Sequence, residues 1–266
     1  MNAENAETLV SEVNIPGKHI LGDAKVTENA TVAGDATVYG DANVSGKAKV
    51  SVNAKVYGNA KVFGNAMVFG DAEVYGDAEV WGDAKVYARA KVSGDAVVSG
   101  DAWVLGHAKV SGDAVVYDEA EVSGNAEVFG DANVSGGATV TGRAKVYDKA
   151  KVGGEAEVYG NAVVSGGAVV YARAKVSGDA VVSGDAWVLG HAKVSGTAVV
   201  FGEAEVGGYA EVFGDAKVYG DAKVWGDAKV YDKAKVSGTA VILGGNWDGS
   251  EGPITSGRWK APGVPA

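Results

Sequence analysis

An alanine stands at every sixth position from Ala24 to Ala240, 37 in one register, with no insertion, deletion or exception. Two residues beyond the alanine position runs an aliphatic series: Ile20, Val26, Val32, Val38 and so on to Val236 and Ile242. Small and aliphatic residues two apart share one side of a short strand, and the residue between them faces the other way. The Gly-Asp or Gly-Asn pair that follows is a turn signal, since both types tolerate left-handed backbone angles. The chain therefore reads strand, corner, strand, corner. Three sides close a coil of 18 residues, and 37 hexads make about twelve coils stacked at about 4.8 Å. The predicted fold is all-β, a single-stranded parallel β-helix of triangular section with short terminal caps. Its boundaries are an N-terminal cap over 1–19, a solenoid over 20–243, and a Gly/Pro/Trp-rich cap or tail over 244–266.

The 41 glycines fall in phase with the repeat, which a disordered glycine-rich chain has no reason to do. Leu9, Val10, Val13 and Ile15 are expected to cover the first coil, with Pro16 at an edge. Trp247 and Trp259 are expected to cover the last one. A prism lined by Ala and Val should be solid, leaving no internal ligand pocket and implying no cofactor. The corner glycine is replaced at Glu28, Val52, Ala88, Asp118, Asp148, Ala172 and Asp232. Positive φ is therefore expected at the residue after it, which is mostly Asp, Asn, Gly, His, Lys or Arg.

The formal charge of −10 argues against nucleic acid or an anionic membrane as partner. There is no cysteine, so the fold owes nothing to disulfides. No apolar leader or spanning run is legible, and the expected location is cytoplasmic.

Hexads such as Val56-Tyr57-Gly58-Asn59-Ala60-Lys61, repeated over about residues 20–243, resemble the hexapeptide-repeat left-handed β-helix family of bacterial and phage proteins. One departure is that the family often carries glycine directly after the aliphatic residue, whereas here it falls one later. The resemblance implies a left-handed winding. It also implies, distantly, acyltransferases and zinc-dependent carbonic anhydrases, whose sites are built from histidines where subunits meet, often with an extruded loop. This chain has His19, His107 and His191 and no inserted loop. His107 and His191 lie 84 residues apart, four coils and two sides, hence about 22 Å along the axis and on different corners. They cannot share a metal, so no catalytic, cofactor or metal residue is assigned.

Residues 87–110 recur letter for letter at 171–194. Because fourteen hexads are not a multiple of three, the second copy turns onto another face, and drift of a repeat array is the simplest reading. Residues 18 apart stack, so Asp77, Asp95, Asp113 and Asp131 form an acidic corner column able to recruit a cation or to imitate a phosphate backbone. Three outward apolar clusters are the candidate interfaces. One joins Val163, Val181 and Val199 with Phe201, flanked by Tyr147 and Tyr219. The second gathers Met67, Phe69, Tyr87, Trp103 and Leu105; the third gathers Val169, Tyr171, Trp187 and Leu189. A contiguous apolar strip among charged neighbours marks a contact surface. The expected function is a non-catalytic rigid module for structure or protein interaction, binding itself or another protein. The alternatives are an acyltransferase-like enzyme with an inter-subunit site and an acidic decoy acting on a partner.

Overall fold

Alanine and valine, being small and two apart, turn inward on every side of the coil. From Ala36 to Val230 each of them is sealed from solvent at 0 % exposure. The computed structural model describes residues 19–27, 29–262 and 264–265. The proposed cap residues Leu9, Val10, Val13 and Ile15, with Pro16 and the corner at Glu28, lie outside the described residues.

Three sheets of 13, 15 and 13 strands form the faces of the solenoid, giving about 13 coils of about 18 residues among the described residues. The first sheet opens with His19–Leu21, Thr37–Tyr39 and Lys55–Val56 and ends at Lys235–Val236. The second takes Lys25–Val26, Asn43–Val44 and every third strand thereafter; the third takes Thr31–Val32, Lys49–Val52 and their successors. Pairing is parallel and in register at an offset of 18, as in Val163 with Val181 and Val181 with Val199. Each coil hydrogen-bonds to the next through its backbone, for example Lys109 N–H to Ala126 O at 2.9 Å and His107 N–H to Gly124 O at 2.7 Å.

The corners correct one expectation. Positive φ sits on the glycine position itself, not on the residue after it. Gly106 has φ 73° while His107 lies outside the left-handed region, and Ala108 N–H closes the turn onto Leu105 O at 3.3 Å. A positive first central residue followed by an ordinary second one is the pattern of a type II′ turn. Where glycine is missing the backbone does not change. Val52, Ala88, Asp118, Asp148, Ala172 and Asp232 keep φ between 53° and 66°. Coil stacking overrides the intrinsic preference of these residues, which is why their presence in the sequence misleads. A Cβ at a corner points at the next coil's backbone, for example 2.8 Å from Gly100 to Asp118 N. Two of the aspartates gain a partner in that direction: Asp118 accepts the Gly136 N–H and Asp148 accepts the Gly166 N–H, both at 3.2 Å.

Beyond Ile242 the alanine register stops but the winding does not. Asn246–Trp247 joins the third sheet, Ile254 bridges Val236 of the first, and Arg258–Ala261 joins the second. These residues supply the coil beyond the twelve counted from hexads. Val264–Pro265 then pairs antiparallel to Arg258–Ala261. Trp247 is buried in the core at 1 % exposure, donates from Nε1 to Gly244 O at 2.8 Å, and meets Trp259 edge to face at 6.2 Å.

Candidate functional surface

With the interior filled, everything that varies along the repeat lies outside, where position i faces position i+18. Like shapes stack into ladders. Tyr39, Tyr57 and Tyr75 lie ring on ring at 4.8 and 4.9 Å, and Tyr57, desolvated between its neighbours and beside Glu73, has its phenol pushed up to about 12. Opposite charges also stack, as in Lys61 with Glu79 at 2.9 Å and Lys223 with Glu205 at 2.6 Å.

The valine row lies on the first sheet. Val163, Val181 and Val199 are consecutive partners, bounded by Lys145 on one side and Lys217 on the other. Phe201 stacks on Tyr219 at 4.9 Å beside that row, and Tyr147, one coil before Val163, stacks on Phe129, also at 4.9 Å. Ser165, between Tyr147 and the row's centre, is buried. The second cluster is on the third sheet. Phe69 stacks on Tyr87 at 4.9 Å and Tyr87 meets Trp103 edge on. Met67 and Trp103 are not direct partners: Lys85 stands between them and lays its Nζ over the indole at 4.4 Å. Leu105 follows on the same side of the coil, in the turn that carries His107. The third cluster is on the second sheet, where Trp187 pairs with Val169 and is 48 % exposed. Tyr171 leans over Gly153, whose missing side chain leaves room for the ring, and Leu189 stands one coil beyond it.

Asp77, Asp95, Asp113 and Asp131 do share one corner, between the first and second sheets. Asp77 is not a bare carboxylate, since Asn59 donates to it at 2.7 Å. Asp113 is the crowded member: desolvation and the carboxylates of Asp95 and Asp131 on either side raise its pKa. No group of three His, Asp or Glu placed to hold a metal ion occurs among the described residues.

The stacking rule also builds something that reading the chain in order passes over. The opposite edge of the first sheet carries a concavity of about 470 Å³. Its corner column is Arg89, His107, Asn125 and Arg143, and the row beside it is Lys91, Lys109, Glu127 and Lys145. Lys109 and Lys145 share Glu127, at 3.0 and 3.4 Å, and this pairing, Lys109's hydrogen bond first, holds the Glu127 carboxyl below its usual range. Lys91 reaches Glu73 at 3.1 Å, and Arg89 only approaches Asp71, at 3.8 Å. Arg143 is in no ion pair among the described residues.

A second concavity, of about 800 Å³, contains Arg173, Lys175, His191 and Lys193. These are the residues of the second sequence copy, 84 positions beyond Arg89, Lys91, His107 and Lys109. Each copy thus places an Arg-x-Lys over a His-x-Lys one coil further on. The two histidines remain separate, each within its own copy. Here, however, the cations are taken up: Arg173 by Glu155 at 2.7 Å, Lys175 by Glu157 at 2.8 Å, and Lys193 and Lys229 by Glu211 at 3.1 and 3.4 Å. His191 is covered by the Tyr209 ring at 4.8 Å. The signal available in the sequence was the duplication itself, combined with the offset of 18.

The family described as YdcK beta solenoid repeat matches this chain over residues 156–172, inside the regular solenoid. The search of curated proteins finds no match. That short match and the three-sided parallel winding fit a hexapeptide-repeat-like β-helix family.

Proposed function

We propose that the protein is a non-catalytic rigid rod, a structural or protein-interaction module that associates with a second copy of itself through the valine row of the first sheet. The observation that carries this reading is the register Val163, Val181, Val199. Three outward valines lie flat and adjacent at a position held by Lys or Glu over most of the same sheet. Valine gains nothing from water, and about 25 cal/mol is recovered per Å² of apolar surface buried. The row alone is too small to repay the entropy of association. Phe201 and Tyr219 stacked beside it enlarge the surface, and the continuous backbone ladder keeps it rigid, so little further ordering is needed on contact.

Light scattering on the wild type and on Val181→Lys tests the reading. The wild type should be an oligomer and Val181→Lys a monomer. Val97→Lys, on the second sheet, should leave the oligomer unchanged. A monomeric wild type, or an oligomer indifferent to Val181→Lys, removes the valine row as an interface.

A further inference from the structure

The two concavities share the duplicated Arg-x-Lys and His-x-Lys elements, and the two copies differ in charge around them. At positions 84 apart, Asp71 corresponds to Glu155, Glu73 to Glu157, Glu127 to Glu211 and Lys145 to Lys229. The Arg-x-Lys and His-x-Lys elements are identical. The exceptions are Asn125, which becomes Tyr209, and Arg143, which becomes Asp227. At these matched positions the first copy sets five Arg and Lys side chains against three carboxylates, and the second sets four against four. On a chain of net charge −10, the first is a local excess of positive charge. Arg143, which has no carboxylate partner among the described residues, and the loosely held Arg89 mark its two ends.

Its boundaries limit what fits. Along the axis the corner column is closed by Asp71 on one side and, beyond Asn161, by Asp179 on the other. Arg89 and Arg143 are three coils apart, about 14 Å at the strand spacing. Across the sheet stands the acidic column of Asp95, Asp113 and Asp131, where desolvation and the neighbouring carboxylates raise the Asp113 pKa. An extended polyanion lying along or across the rod would meet these carboxylates. A short one, held by the long side chains of Arg89 and Arg143 and the ammonium groups between them, avoids both columns and meets Glu127 alone, which Lys109 and Lys145 already share.

We propose that the concavity lined by Arg89, Lys91, His107, Lys109, Arg143 and Lys145 binds a compact multivalent oxyanion, a small molecule carrying two or three linked phosphate groups. Guanidinium forks bind phosphate oxygens bidentately, and the neighbouring lysines add point charges. In the second copy Asp227 takes the position of Arg143, and Glu155 holds Arg173 at 2.7 Å, so the second copy does not bind such a ligand.

Isothermal titration of the full chain with inorganic tripolyphosphate at low ionic strength tests the proposal. Wild type should bind one equivalent. Arg143→Asp should abolish binding, and Arg89→Gln should weaken it about tenfold, the loss of one charge-assisted contact. Arg173→Gln, at the matching position of the second copy, should leave it unchanged. Unaltered melting curves for all three variants separate loss of binding from loss of fold; should Arg143→Asp melt early, Arg143→Gln replaces it and must weaken binding about tenfold. Absence of binding in the wild type, or equal loss in Arg173→Gln and Arg143→Asp, overturns the proposal. A single-stranded oligonucleotide that binds more tightly than tripolyphosphate and loses binding in Arg143→Asp also overturns it, since the site would then belong to an extended polyanion.

Discussion

Asn59 donates from Nδ2 to Oδ1 of Asp77 at 2.7 Å, one coil further along the same corner. The arrangement recurs from Asn53 to Asp71, Asn65 to Asp83 and Asn161 to Asp179, at 2.8 to 2.9 Å. An amide over a carboxylate turns a stacked repulsion into a hydrogen bond.

The Asp95, Asp113, Asp131 run lacks that amide, and Asp113→Asn supplies it. Its pKa raised by desolvation and by its neighbours, the Asp113 carboxyl favours its protonated form in the fold. Its contribution to stability is therefore present below the unfolded-state pKa, about 3.9, and is lost as pH rises through the higher folded value. The Asn variant should melt at a higher temperature than wild type at pH 7, and the advantage should vanish on acidification below the carboxylate range. Thermal melts against pH decide; a gap independent of pH rules out the electrostatic cause.

Interior volume is the second test. Ala126 is fully buried between coils, and Ala126→Leu should cost about 1–3 kcal/mol or somewhat more from overpacking. Ser123 is not the neutral comparison that its outward position in the alternation suggests, because it is buried and its Oγ donates to Thr141 Oγ1 at 3.0 Å. Lys151, exposed on the second sheet, is the proper comparison, and Lys151→Leu should change stability by less than about 0.5 kcal/mol. Equal losses in denaturant melts would refute the inward and outward assignment.

Corners should respond in opposite directions. Gly100→Ala places a Cβ 2.8 Å from the Asp118 backbone nitrogen in a left-handed conformation, and a loss of about 1–3 kcal/mol is expected. Val52→Gly relieves a β-branched residue held at φ 66° and should be neutral or stabilising by up to about 1 kcal/mol, the relief of left-handed strain being partly offset by glycine's freedom in the unfolded chain. Urea midpoints measure both. A stabilised Gly100→Ala would mean that the corner glycines are dispensable.

Trp247 closes the last coil, and Trp247→Ala should cost about 3–5 kcal/mol locally. Each coil contacts chiefly its neighbours, so the loss should not spread along the rod. Hydrogen exchange should show faster exchange near Val230, Ile242 and Trp259 and no change around Val122; uniform deprotection would indicate one cooperative unit instead.

The inward Ala and Val register was legible because a strict period of six leaves only one way for both residues to face a common core. Ile242 marks where the register ends, but nothing in its successors announces that Asn246–Trp247 and Ile254 continue the winding, since the coil there is held by tryptophan rather than by repeat. Val52 and Ala88 concealed the corner conformation, because residue preference is a weak guide where stacking sets the backbone. Arg89, Lys109 and Arg143 are scattered in sequence and meet only through the offset of 18. Net charge, summed over the chain, hides such a meeting.

The antiparallel pairing of Val264–Pro265 with Arg258–Ala261 has a consequence for polymerisation. A parallel coil offers its successor the same template that it received, so a bare solenoid end is a seed for its own kind. On the second sheet, reversing the strand direction breaks that inheritance, and Pro265 has no N–H to donate to an arriving strand. Among the described residues, this edge of the second sheet presents a strand of opposite polarity with a donor missing. Among the described residues, the turn back after Ala261 thus makes this edge a poorer template for strand addition than the parallel coils beneath it.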